Sequence, residues 1–245
     1  GILLFTGCDD YLKEDSGDLL IPGKVEEFLP MLYREGFPRN FDDEGAWLYL
    51  MTDDVEMGQL ELDPDDENND TRDKNSVDAF SVGEGEEPYK WERDIKSYAD
   101  NFWERRYGNI LACNLVIDAL PEMVYVEADS GSYNFLAAQA YAMRAYHYWC
   151  LVNSYALPWS KENLDEPGVV IRTEPQIDIA ARRRSSIREV YDLINEDIEN
   201  AEKYIKVATF DGNIHRLSEP AILLLASRIA LFQENWDEVI RTGKL

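Results

Sequence analysis

The sequence predicts a mostly α fold, built as helical hairpins with long loops and few short strands. Three observations predict it. From Tyr98 onward, apolar residues recur at steps of three and four over several successive stretches, the spacing that lines one face of a helix. Helix-start signals precede those stretches: Ser186 with Glu189 three residues on, Ser218 with Pro220, and Asn235 with Glu238. Turn residues separate them, at Pro121, Pro158 and Asp211-Gly212-Asn213.

The chain starts with an apolar run, Gly1-Ile-Leu-Leu-Phe-Thr-Gly-Cys8, followed at once by Asp9 and Asp10. This is how the end of a bacterial lipoprotein signal looks, with Gly7 admitting the peptidase and the Cys8 thiol accepting a lipid. The competing reading is a short buried strand with a core cysteine; the absence of a basic start speaks for it. We take residues 1–8 as the end of the signal and 9–23 as a polar tether. Residues 24–245 then form the folded domain. Val25, Phe28, Leu29 and Leu32 have helical spacing, and Pro30 predicts that this first helix is kinked or begins late. Residues 42–73 carry 13 Asp or Glu against one Arg. With no apolar residue from Asp63 to Asn75, they read as a long solvated loop.

The next helix has the stripe Trp103, Tyr107, Ile110, Leu111, Asn114 and Ile117 and ends at Pro121. A second runs from about Tyr133 to Tyr155 and is apolar nearly all round, so it belongs between neighbours. Ala138, Ala142 and Ala145 would let another helix come close. A linker follows from about Ser160 to Arg184, with Val169-Val170-Ile171 as a short extended piece. The helix opening at Ser186 carries the stripe Ile187, Val190, Tyr191, Ile194, Ile198, Ala201 and Ile205. The helix after Ser218 runs through Leu223, Leu224, Ala226, Ile229, Ala230 and Leu231. Asn235 starts another. Short turns between these helices predict two antiparallel pairs.

Composition excludes several function classes. Formal net charge is −25, so nucleic acid is not a fitting partner, because phosphate binding needs a basic face. The same charge would be repelled by an anionic bilayer, which suits anchoring by lipid. No stretch is long and apolar enough for a spanning helix. Three cysteines do not make a disulfide framework. Cys113 and Cys150 lie in helical patterns and read as small buried thiols rather than a bridge.

Ile229 to Ile240 resembles the junction between two tetratricopeptide repeats, where an aromatic, here Trp236, opens the next helix after a polar turn. A repeat stack needs a neighbour on its last face, so we expect this chain to be the front part of a longer protein.

Six blocks, in order, resemble the SusD/RagB family of nutrient-binding outer-membrane lipoproteins. They are Cys8-Asp-Asp-Tyr-Leu, Leu50-Met-Thr-Asp53-Asp54, and the W-x-x-x-Y-x-x-I-x-x-x-N helix from Trp103 to Asn114. The others are the helix from Ala142 through Arg144-Ala145 to Tyr155, the segment Ser186 to Asp197, and Arg216 to Leu231. One departure is Ala156-Leu157-Pro158, where the family usually has Gly, an Asp-like residue, then Pro. The resemblance implies a SusD-like scaffold of tetratricopeptide-like hairpins at the cell surface of the outer membrane. It implies a SusC-like TonB-dependent transporter as partner, oligosaccharide as ligand, no cofactor and no catalysis. Family members are about twice as long, so part of the ligand site would lie in their second half.

Sugars present flat C–H faces on which aromatic rings stack, and nearby polar groups bond the hydroxyls. Trp91 and Tyr89 sit in a polar loop outside any helical stripe and are the expected ligand platform. The alternative is a pair that staples that loop to the core. Trp47 and Trp159 are weaker candidates; Trp103, Trp149 and Trp236 are expected in the core. Asp63, Asp65, Glu67 and Asn69 alternate like a calcium loop but fail at Asn68 and Lys74. His147 and His215 have no ligand cluster nearby, so no metal site is expected. Arg182-Arg183-Arg184 reads as a solvated linker. No Gly-x-Ser-x-Gly, phosphate-loop or dinucleotide pattern occurs. Three readings compete: glycan capture, a tetratricopeptide-like scaffold for protein or peptide, and a secreted glycoside hydrolase, the last requiring two facing carboxylates.

Overall fold

A computed structural model describes residues 24–38, 90, 102–123, 130–176, 181–210 and 212–244. Six helices occur among them: α1 (Val25–Glu35), α2 (Phe102–Ala119), α3 (Ser130–Tyr155), α4 (Ile187–Ile205), α5 (Glu219–Phe232) and α6 (Trp236–Thr242). The architecture is mostly α, as expected. Each of α1 to α5 packs on the next in the chain, and the largest interface joins α3 to α4. Such nearest-neighbour packing is the rule in helical stacks.

Local chemistry fixes the helix ends. Ser186 and Glu189 form a reciprocal capping box, Ser218 accepts from the Ala221 N–H with Pro220 in the first turn, and Asn235 accepts from the Glu238 N–H. Each satisfies donors that have no partner inside the helix. Gly212 sits at φ 78°, a left-handed conformation that glycine adopts without steric cost. The expected late start of the first helix is not observed: α1 runs from Val25 with Pro30 inside it. Phe28 and Leu32 are both fully buried one turn apart, and packing on that face holds the helix together.

α3 is the central element and is buried on nearly all sides. Ala137, Ala138, Ala140, Ala142 and Ala145 are all fully enclosed, so neighbouring backbones approach closely. Every residue of the expected α4 stripe is buried. Cys113 and Cys150 are both free thiols, Cys113 buried and Cys150 half-buried; burial pushes the Cys113 thiol up from its ordinary value.

Two expectations are corrected, for the α2 stripe and for Trp236. In α2 the buried face is Phe102, Arg106, Asn109, Ile110, Cys113, Asn114 and Val116. Of the expected stripe, Ile110 and Asn114 are buried, while Trp103, Tyr107, Leu111 and Ile117 are only half-buried. Polar residues enter that interior because each finds a hydrogen-bond partner there. Trp236 is 58% exposed rather than core, and Leu224 is 70% exposed; among the described residues no element covers either. The extended piece after Val169 forms no strand ladder; the described residues contain only an isolated antiparallel bridge between Pro167 and Ser186. The arginine run is exposed and irregular, as expected of a solvated linker, yet two of its members make specific contacts. Arg182 pairs with Glu174, and Arg184 donates to the carbonyls of Tyr155, Pro167 and Gly168.

Candidate functional site

The residues that make α2 polar inside also build a cleft outside. Arg106 is buried against His147, donating to Nδ1 at 3.0 Å, with the Phe102 and Tyr146 rings 4.8 and 5.2 Å from its guanidinium. Arginine is only a donor, so His147 Nδ1 accepts and Nε2–H donates to the Gly36 carbonyl at 2.8 Å. Burial, reinforced by the Arg106 charge, lowers the His147 pKa to about 3, so the ring is neutral. Asn109 donates to the Phe37 carbonyl. With this face turned inward, Trp103, Tyr107 and Leu111 turn outward and line a cleft of about 560 Å³.

The opposite wall is the chain from Val170 to Gln176, continued by Ala181 and Arg182. It belongs to no regular element, yet the helices fix it by its backbone. The Tyr107 hydroxyl donates to the Val170 carbonyl at 2.6 Å. The Tyr148 hydroxyl accepts from the Arg172 N–H and donates to the Arg172 carbonyl, both at 2.7 Å. Asn114 donates to the carbonyls of Arg172 and Glu174 at 3.0 and 3.3 Å. Burial pushes both tyrosine hydroxyls up from their ordinary values, which keeps them protonated and able to donate. Gly168 begins the wall where the chain passes close to itself: an added Cβ would lie 3.0 Å from the carbonyls of Ser185 and Ser186.

Asn114 is in turn oriented from behind. Arg144 donates to its Oδ1 at 3.0 Å. Arg144 also donates to both carboxylate oxygens of Asp197, at 2.7 and 2.8 Å. The pair is buried, with side-chain exposures of 8% and 1%. Burial works against the Arg144 charge, but its bonds to Asp197 outweigh it and hold the proton more tightly than usual. One line of contacts thus runs from α4 through α3 and α2 to the cleft wall.

The cleft offers two kinds of surface. Trp103 and Tyr107 lie 4.9 Å apart by ring centroid, and Tyr155 stands edge-on to Trp103 at the same distance. Around them stand Glu104, Arg172, Glu174, Gln176 and Arg182. A second groove of about 460 Å³ lies between α4, α5 and α6 and is lined by Asn195, Glu199, Glu202, Gln233 and Arg241 among others, with no aromatic ring. Arg241 bridges Glu202 and Glu238 across it.

The sequence-expected platform Tyr89 and Trp91, together with Trp47 and the lipid site Cys8, lies outside the described residues. The acidic loop is outside them too. Trp159 packs edge-on to Tyr191 at 4.7 Å, so it is a core contact. His215 is exposed, and no cluster of metal-ligating side chains occurs among the described residues. Sequence reasoning assigned Trp103 and Tyr107 to the core and missed Arg172, Glu174 and Gln176. The available signal was Arg106 and Asn109, polar residues on the face of α2 opposite that stripe.

A family model described as SusD-like, starch-binding and associating with the outer membrane, matches residues 43–231. The chain belongs to the SusD-like family. A SusD-like protein from Formosa agariphila is 33% identical over 138 residues, which is 55% of this chain and 24% of that protein. A SusD superfamily protein from Bacteroides fragilis superposes with a TM-score of 0.63 at 19% identity, covering 90% of this chain and 48% of its own. One from Bacteroides thetaiotaomicron gives 0.62 at 17%, covering 89% and 45%. A SusD-like carbohydrate binding protein from Bacteroides vulgatus gives 0.61 at 19%, covering 90% and 44%. At these identities the SusD-like structures establish a shared fold. The chain spans about a quarter of the curated relative and less than half of each solved structure.

Proposed function

We propose that this protein captures oligosaccharide at the outer cell surface and passes it to a TonB-dependent transporter without cutting it. The observation that carries the reading is the match of a starch-binding, outer-membrane-associated family over most of the chain. The structure supports it with a rigid helical platform and a cleft offering ring faces beside polar groups, the combination that sugars require. Anchoring is through a lipid on Cys8. The loop with Tyr89 and Trp91 is the primary ligand platform, with Trp47 as a further contact.

Calorimetric titration of the full-length protein with maltoheptaose and a panel of other oligosaccharides tests this. Heat of binding for at least one glycan, weakened in Trp91→Ala, is expected. Silence across the panel overturns the reading. A second reading, a tetratricopeptide-like scaffold for a protein or peptide, draws on the groove between α4, α5 and α6. Its amides Asn195 and Gln233 suit a peptide backbone, and silence toward glycans would favour it.

A further inference from the structure

We infer that the cleft between α2 and the wall at 170–176 and 181–182 is a second saccharide subsite, separate from the Tyr89–Trp91 loop, and that it takes an uncharged sugar. The inference rests on the glycan-capture reading and adds a place and a ligand class to it.

Its size comes first. A cleft of about 560 Å³ falls within the range of ligand-binding pockets. Its construction comes second. A surface groove left over between elements has walls free to drift. This wall has none of that freedom, because Tyr107, Tyr148 and Asn114 together hold the backbone at Val170, Arg172 and Glu174. A site held in shape before the ligand arrives avoids the ordering cost of binding. The third point is the chemistry of the lining. Trp103 and Tyr107 are half-buried, held by each other and by Tyr155, and still reach the cleft. A pyranose ring can lay its C–H face on such a surface. Glu104, Gln176 and the Glu174–Arg182 pair supply acceptors and donors for the hydroxyls around it.

Charge selects the class. The lining carries Glu104 and Glu174 against Arg172 and Arg182, so it is locally balanced. The chain as a whole carries −25, which opposes an approaching anion. A charged sugar therefore gains no net attraction there and still loses hydration on entering, a cost that a neutral sugar does not bear.

The test uses the full-length protein labelled with 5-fluorotryptophan, which reports on each tryptophan, the six of this sequence included, by fluorine NMR. Resonances are assigned by single substitution, and the probe is maltoheptaose, with other neutral and uronic oligosaccharides in parallel. The Trp103 resonance is expected to move with neutral ligand and to keep moving in Trp91→Ala. Trp103→Ala should weaken the cleft's binding by roughly tenfold, the loss of one stacked ring. Trp103 also packs on Tyr155, so Glu104→Ala and Gln176→Ala, both at exposed positions, provide variants that leave the core intact. They should weaken the Trp103 response severalfold. A Trp103 resonance that stays still while another tryptophan reports saturation overturns the cleft and leaves glycan capture standing. A Trp103 response only to uronic oligosaccharides overturns the ligand class. No response and no binding heat for any glycan overturns both readings together.

Discussion

Replacing Asp197 by alanine should destabilise the protein strongly, and the cleft should report it. The carboxylate is 1% exposed and its partner Arg144 is 8% exposed. Removing it leaves a guanidinium in the interior with the Asn114 oxygen and the Tyr141 ring, 5.7 Å away, as its described contacts. Breaking a buried pair in this way costs about 3–5 kcal/mol, because the surviving charge is neither solvated nor compensated. For a chain of this size each kcal/mol lowers the melting temperature by roughly 2–4 °C, so a fall of about 10 °C is expected. Thermal melting followed by the helical circular-dichroism signal measures it. The paired change Arg144→Met with Asp197→Leu removes both charges and keeps comparable volume. It should restore most of the loss, since an ion pair and a well-packed apolar pair are often nearly equivalent in an interior. The restored variant still lacks the donor that orients Asn114. Its amide hydrogens at 172–174 should therefore exchange faster than in the parent even after stability returns. An Asp197→Ala protein melting within about 1 °C of the parent would refute the argument, because no buried unpaired charge is that inexpensive.

Other consequences follow from the same contacts. His147 is neutral when folded, with a pKa near 3, and titrates near 6.5 when unfolded. The unfolded chain thus takes up the proton first, and the stability from this site is present above about pH 6.5 and lost as pH falls toward 3. His147→Gln should flatten that part of the acid limb in urea-midpoint measurements, and an unchanged slope would contradict the assignment. Ser186→Ala removes the α4 cap and should cost about 1 kcal/mol, read from the shift in urea midpoint at constant slope. Tyr107→Phe removes the bond to the Val170 carbonyl and should cost about 1 kcal/mol, with faster amide exchange along 170–174 while the helices stay protected.

The fold was legible wherever one residue type served one purpose. The apolar stripe of α4 opens at a capping box, so periodicity and local chemistry agree, and all of it is buried, with Asp197 and Glu202 sharing the inward face. The caps at Ser218 and Asn235 were readable for the same reason. α2 is different. Its apolar stripe and its buried face do not coincide, because Arg106 and Asn109 find partners in His147 and the Phe37 carbonyl. Those partners come from α3 and from the end of α1, at separations of 41 and 72 residues. Hydrophobic period cannot register a polar side chain whose satisfaction comes from elsewhere in the chain.

The cleft was hidden by the same rule. Its wall is a Pro- and Gly-containing connection that composition marks only as a loop, and a loop in sequence has no position. Its position comes from hydroxyls and one amide on helices that the sequence does show. Asn114 and Arg144 were noticed as parts of family-like blocks, and Asp197 as the end of another; the structure makes them one device. Arg144 and Asp197 fix the Asn114 amide, and the amide fixes the backbone of Arg172 and Glu174. A buried ion pair is weak evidence for stability, since apolar residues would do as well. What apolar residues could not do is aim an amide at two carbonyls. The polar interior of these helices is therefore best understood through the irregular segment it holds, and the shape of the cleft follows from the core behind it.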